Sequence, residues 1–263
     1  MSPAPWLAIT RFNMTNVCLI VQARMASERL PGKVLKTVLN KPLILHELER
    51  LKRVTSATRL VVATTTNPAD RELEAFCKKF EVNYFRGSEA DVLSRYADTA
   101  RRERAETVVR VTADCPLIDP AVVDRTIRHF LDRKGGADYV SNVMKRTYPR
   151  GMDCEVFSAK ALFEADAEAK KPSEREHVTP FFLVRPERYR LEGIEYKSDE
   201  SKHRWTVDTP EDFELIRLLL EALLPTKPHF TLEDILEVAA KNPAWSRINR
   251  HIAQKTLEKS GEK

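Results

Sequence analysis

The sequence predicts an α/β protein with a mixed, mostly parallel sheet between layers of helices. Three observations carry that expectation. Short β-branched runs alternate with amphipathic stretches of about a dozen residues through the first half, the pattern of right-handed βαβ crossovers. The first run, Val17–Ala23, is almost wholly apolar, as a buried strand should be. The 263 residues are 42% hydrophobic and 32% charged, the balance of an ordinary globular chain long enough to bury a full core.

In chain order, Val17–Ala23 opens the sheet. Pro42–Val54, "PLILHELERLKRV", is an amphipathic helix begun by its proline, where a missing N–H costs nothing. Arg59–Thr64 is the next strand and Pro68–Phe80 the next helix. Asn83–Arg86 is a short strand, Ser88–Arg104 a helix capped by Ser88, and Thr107–Thr112 another strand. A helix then runs from Ile118-Asp119-Pro120 to Asp132, with Asp119 as its cap. From Tyr139 to Asp153 apolar residues thin out, which reads as an excursion from the sheet. Cys154–Ser158 and Tyr189–Tyr196 are expected as later strands, with antiparallel pairing open to them, and helices near Ala159–Ala169 and Glu174–Val184 between. Arg204–Val207 is a last short strand; Pro210–Leu224 and Leu232–Lys241 are closing helices. No repeat or long linker divides the chain, so 15–252 is expected to be one domain. Residues 1–14 read as a mobile extension with Met14 as an alternative start, and 253–263 as a polar tail.

Composition excludes several classes. No run of about 18 apolar residues occurs, so no membrane-spanning helix is expected. "MSPAPWLAITRFNM" lacks the continuous apolar core and cleavage site of a signal peptide. Cys18, Cys77, Cys115 and Cys154 stand far apart without a CxxC pair. That argues against a zinc site and a disulfide framework, and fits the reducing cytoplasm. A net charge of +5 admits a nucleic-acid partner. No long basic run or nucleic-acid motif appears, however, and an enzyme that handles a polyanion is the simpler explanation.

Three stretches carry candidate chemistry. The first strand opens straight into Arg24, Arg29 and Lys33, with Pro31-Gly32 just before the lysine. This loop is neither GxGxxG nor GxxxxGK[ST], since residue 27 is Ser and residue 34 Val, so the dinucleotide fold and the P-loop are not supported. It follows the carboxyl end of a strand, where open α/β sheets bind ligands, and its cations suit a phosphate chain. Three solvated surface cations are the alternative. In "VRVTADCPLIDP" a β-branched run ends at Asp114, and Cys115-Pro116 stops it. A carboxylate there is either a Mg²⁺ ligand or a turn cap. In "HRWTVDTPEDFELI", Asp208 ends a short apolar run, and Thr209-Pro210-Glu211-Asp212 opens a helix as its capped first turn. Two aspartates placed alike suggest one shared divalent cation.

"QARMASERLPGKVL", "TADCPLID" and "RWTVDTPEDFELI" resemble the cytidylyltransferases that make CMP-activated acidic sugars, the CMP-Kdo synthetases and acylneuraminate cytidylyltransferases. The branch named for spore coat polysaccharide biosynthesis protein F is nearest. "YFRGSEADVLSRY", "YPRGMDCEVFS", "EREHVTPFF" and "NPAWSRINRHI" extend the resemblance over residues 17–252. It implies the nucleotide-diphospho-sugar transferase fold (GT-A-like and Rossmann-like), CTP and a small sugar as substrates, release of pyrophosphate, Mg²⁺ and a homodimer, with no nucleic-acid or membrane partner. Position by position, Arg24, Arg29 and Lys33 would contact the triphosphate, and Ala23 and Arg24 would meet the nucleotide. Asp114 and Asp208 would hold the metal; Arg24, Lys33, Asp114 and Asp208 form the implied catalytic set. Gly87 and Ser88 would line the base pocket, while Asp91 could equally be a first-turn helix charge. Where better-known relatives carry Gln-Gly-Asp, this chain has Thr112-Ala113-Asp114.

For the sugar the candidates are Arg150, Asp153, Glu155, Glu176, His177 and Arg204, with Glu174, Arg175 and His203 nearby. An arginine among them could fork a sugar carboxylate. Each could instead be an ion-pair partner or a structural histidine. Two rival functions stand beside this one. A metal-dependent glycosyltransferase would bind a nucleotide-sugar in place of a triphosphate. A non-catalytic nucleic-acid binder or nucleotide sensor would leave the paired aspartates without a purpose.

Overall fold

The structure, a computed structural model, describes residues 15–132 and 136–253. The extension with Met14, and the tail beyond Ala253, lie outside the described residues.

The chain runs β1 (Val17–Gln22), β2 (Thr37–Val38), β3 (Lys41–Pro42), α1 (Leu43–Leu51), β4 (Arg59–Thr65), α2 (Arg71–Lys79), β5 (Tyr84–Gly87), α3 (Val92–Glu103), β6 (Thr107–Thr112) and α4 (Pro120–Leu131). The second half follows as β7 (Tyr139–Ser141), β8 (Glu155–Ser158), α5 (Ala159–Glu168), α6 (Pro172–His177), α7 (Pro180–Leu183), β9 (Leu191–Gly193), α8 (Pro210–Leu223) and α9 (Leu232–Lys241). Seven strands form one sheet in the order β5-β4-β1-β6-β8-β7-β9, and β2 and β3 make a separate hairpin. In the seven-stranded sheet only β8 runs against its neighbours. The expected mixed, mostly parallel sheet is therefore present.

The apolar run of β1 is explained by its place at the centre. Leu19 and Val21 face one layer with α1, α2 and α4; Cys18 and Ile20 face the other with α3, α5 and α7. Leu19, Ile20 and Val21 are all completely buried, each stabilising the fold by about 1.5–3 kcal/mol. A third cluster packs α8 and α9 around Trp205, Tyr148 and Phe230. All four cysteines are free, and all four are buried.

Where structure and expectation differ, the cause is local. The first helix begins at Leu43, because Pro42 pairs with Thr37 across the hairpin. Pro68–Asp70 is a separate 3₁₀ turn before α2. Asp91, not Ser88, caps α3 by accepting from the Ser94 N–H at 2.9 Å, while Ser88 Oγ accepts from the Asp91 N–H at 3.0 Å. The excursion starts later than expected: Tyr139–Ser141 is a sheet strand, bonded by β8 and β9 on its two sides but too short to show a period. The helix expected over 174–184 breaks into α6 and α7, because Val178 takes φ 69° and Pro180 follows. Arg204–Val207 is not a strand. Its backbone bonds go instead to Arg150, in an isolated bridge, and to Asp114.

Candidate active site

Because β1, β4, β5, β6, β7 and β9 run the same way, the loops that follow them gather at one sheet edge. β8 runs back, so its first residue, Glu155, starts at that edge too. Asp208 reaches it from a loop after β9, and so does not end a strand as expected.

The loop after β1 is closed by the Gly32 N–H, which donates to Met25 O at 3.1 Å, and held by the Met25 N–H on the Asp70 carboxylate at 2.7 Å. It delivers Lys33 into a 3₁₀ turn anchored by the buried Val34. Lys33 Nζ donates to Asp114 Oδ2 at 2.9 Å, Asp208 Oδ1 at 2.8 Å and Val207 O at 2.7 Å, using all three of its protons. Arg29 and Arg204 reach the other Asp208 oxygen at 3.0 and 2.7 Å. Burial alone would lower the Lys33 pKa, but Asp114 and Asp208 outweigh it and raise it. Burial alone would raise Asp208; Lys33, then Arg204 and Arg29, hold it below the usual carboxylate range. Both groups therefore stay charged at neutral pH.

Each aspartate is braced from behind in a different way. Behind Asp114, the Thr112 hydroxyl donates to its carboxylate at 2.6 Å, and the neighbouring Cys115 N–H donates to Glu47 Oε2 at 3.0 Å. Glu47 is fully buried on α1, and burial beside Asp114 raises its pKa well above normal. Asp208 is held through both side chain and main chain: Arg204 grips its carboxylate and also Asp212 (2.9 Å), which has no exposed surface and accepts the Asp208 N–H at 3.0 Å. Asp212 closes a capping box with Thr209 and accepts from Asn249 at 2.8 Å. The two aspartate loops are joined directly by the Val207 N–H on Asp114 O at 2.8 Å.

The sequence thus located Arg29, Lys33, Asp114 and Asp208 in one cluster, and the structure brings them together. Arg24 lies apart. It is exposed and within electrostatic reach of the buried Arg95, which donates to the Ser88 carbonyl. A Cβ on Gly87 would come within 2.9 Å of the Arg95 side chain, so only glycine leaves this approach open. Ala23 is buried under the start of the loop.

The six sugar candidates do not converge. Asp153 is clasped by Arg146 at 2.7 and 2.8 Å. Glu155 is buried between Arg110 and the Tyr139 hydroxyl. His177 is half-buried, its pKa lowered by burial, near Arg110 and the exposed Glu176. Arg150 sits half-buried beside Arg146 and Arg204. Arg204, expected at the sugar, is committed to Asp208 and Asp212. Arg175 likewise binds Asp91 and Asp166, which gives Asp91 a second task besides its cap.

Sequence reasoning missed Glu47, Arg95, Asp212 as a brace, and Asn249. Only Glu47 left a signal: it interrupts the apolar face formed by Ile44, Leu48 and Leu51 on α1.

Asp114 and Asp208 turn carboxylate oxygens toward one cation, the Lys33 ammonium. Among the described residues no third acidic, cysteine or histidine side chain completes a protein-only metal cage. Two carboxylates suit Mg²⁺, which takes one or two from the protein and fills its octahedron with substrate phosphates and water.

The cytidylyltransferase family profile matches residues 18–239. The chain belongs to that family. This cytidylyltransferase is 30% identical over 237 residues to spore coat polysaccharide biosynthesis protein SpsF of Bacillus subtilis, an alignment covering 88% of this chain and 96% of that one. It is 37% identical over 112 residues to the 3-deoxy-manno-octulosonate cytidylyltransferase of Geobacter sulfurreducens, over 43% of this chain and 44% of that protein. The solved structure of a cytidylyltransferase from Leptospira borgpetersenii serovar Hardjo-bovis superposes with a TM-score of 0.84 at 35% identity, covering 92% of this chain and all of that one. The enzyme is thus a CTP-using nucleotidyltransferase on a Rossmann-like sheet.

Proposed function

We propose that this cytidylyltransferase transfers CMP from CTP to a sugar, an acidic keto-deoxy sugar or a sugar phosphate, and releases pyrophosphate, in surface polysaccharide or glycoconjugate synthesis. The observation that carries the reading is the convergence of Lys33, Arg29, Asp114 and Asp208 at the carboxyl edge of β6. Arg24, Arg29 and Lys33 bind the triphosphate and oppose the charge that grows on the leaving pyrophosphate. A sugar oxygen, either a phosphate oxygen or a hydroxyl that gives its proton up to solvent, attacks the α-phosphorus; the bond from that phosphorus to the bridging oxygen breaks, and the electron pair leaves with pyrophosphate. Asp114 and Asp208 would hold Mg²⁺, which supplies Lewis-acid charge to the phosphates when bound. Gly87 and Ser88 border the base, and the 142–154 loop, which carries Arg150 and Asp153, borders the sugar. The enzyme works in the cytoplasm, a reading supported by four reduced, buried thiols. It works as a homodimer, by its resemblance to relatives.

A pyrophosphate-release assay with CTP, Mg²⁺ and a panel of acidic keto-deoxy sugars and sugar 1-phosphates tests the reading. Release that needs both CTP and one sugar class supports it. Turnover of a finished nucleotide-sugar, with none of CTP, would point to the glycosyltransferase instead.

A further inference from the structure

A cavity of about 230 Å³ lies between residues 201–205, α8, α9 and residues 245–252. It is outside the Lys33–Asp114–Asp208 cluster, and its lining includes Arg150, Lys202, His203, Arg204 and Arg250 but no carboxylate. The carboxylates nearest to it are already engaged. Asp212 is held by Arg204 and Asn249, Asp153 by Arg146, and Glu200 by Lys202 at 3.4 Å and His203 at 3.5 Å.

Charge is left over after these pairs are made. Among the described residues, the Arg150 and Arg250 side chains make no ion pair and no hydrogen bond. Arg150 is half-buried, with Arg146 and Arg204 as like-charged neighbours and Asp153, itself clasped by Arg146, as the opposite charge. Its guanidinium donors are left available for an anion. The floor is flat and apolar, made by Trp205 with His203 stacked on it at 4.9 Å, and by Leu215 and Leu219 of α8. Guanidinium forks beside such a surface match the oxygens of a phosphate group.

We infer that this cavity is a second anion site, which takes a phosphate group, free or carried on a small sugar, apart from the triphosphate site. Arg204 borders the cavity and also grips Asp208, so one side chain touches both places.

Equilibrium dialysis of the full chain against labelled inorganic phosphate tests this, comparing wild type with the Lys202→Ala/Arg250→Ala double variant. Both side chains are exposed and outside the catalytic cluster, so the variant should fold and keep its thermal shift with CTP. The expected result is that wild type binds one more equivalent of phosphate than the variant, or binds it at least about tenfold tighter. Competition by ribose 5-phosphate then tells the sources apart: stronger displacement than by phosphate itself assigns the site to an ester, equal or weaker displacement to the free ion. Identical stoichiometry and affinity in the two proteins would overturn the inference, as would no phosphate bound to wild type at about 10 mM.

Discussion

The two halves of this cytidylyltransferase weight the partners of their carboxylates differently. Up to α4, carboxylates capture main-chain N–H groups: Asp70 takes Met25, Asp124 takes Thr55 and Ser56, Glu47 takes Cys115, and Asp119 takes Leu232 from across the fold. Beyond α4, carboxylates add guanidinium groups, as in Arg146–Asp153, Arg175–Asp166, Arg185–Glu174 and Arg204–Asp212, the last carboxylate also taking the Asp208 and Thr209 N–H groups. The first device fixes the path of the backbone. The second fixes side chains on loops that lack a ladder of their own. The catalytic cluster straddles the two, with Asp114 set by a strand end and a braced peptide, and Asp208 set by an arginine.

The contrast predicts different failures. Asp114→Asn removes charge where the backbone holds the geometry, so turnover should fall by about 10³-fold or more while the melting temperature stays nearly unchanged. Steady-state kinetics beside thermal denaturation would read this. A well-folded Asp114→Asn enzyme with near-normal turnover would remove Asp114 from the chemistry. Arg204→Met should damage both properties at once, since it leaves Asp212 buried without its partner. A loss of about 3–5 kcal/mol in urea denaturation is expected, with activity lost alongside. Stability unchanged in that variant would mean the Arg204 brace is dispensable.

Gly151→Ala probes the meeting of the second-half loops. Gly151 has φ 99°, and a Cβ there would lie 2.5 Å from the Trp205 carbonyl oxygen. A cost of about 2–4 kcal/mol follows, because both backbones must shift. The smallest effect belongs to the first half. Burial alone would raise the Asp124 carboxyl, but the N–H groups of Thr55 and Ser56 outweigh it and hold its pKa below normal. A group depressed on folding contributes stability above its unfolded pKa and loses it as pH falls through the folded value. Asp124→Asn should therefore cost about 1 kcal/mol at pH 7 and progressively less below about pH 4. A cost that stays constant down to pH 3 would contradict the assignment.

The same contrast explains what the sequence could reveal. The parallel strands β1, β4 and β6 were legible because burial at the centre of the sheet leaves runs rich in β-branched apolar residues, and the helices between them keep a regular period. Asp114 was legible because it follows the end of a β-branched run, two residues beyond Thr112. In the second half Tyr139–Ser141 is too short to carry a period, and β9 keeps only three residues of the strand expected over 189–196. Arg204 looked like a substrate ligand because nothing local shows its partners; Asp212 lies eight residues on and Asn249 closes the web from 45 residues away. Long-range pairs between side chains leave no spacing to read. Glu47 was the exception that could have been found, as a charge on an apolar helix face.

The central claim is that the loop after β1 and the two aspartates form the CTP site. Its most direct test is the thermal shift of wild type and Lys33→Met in a panel of CTP, UTP, ATP, GTP and nucleotide-sugars, with and without Mg²⁺. A ligand that binds only the folded state raises the melting temperature with its occupancy. The account predicts the largest shift for wild type with CTP and Mg²⁺, and its loss in a folded Lys33→Met protein. A nucleotide-sugar that wins while CTP does nothing, or a CTP shift unchanged by Lys33→Met, would contradict it.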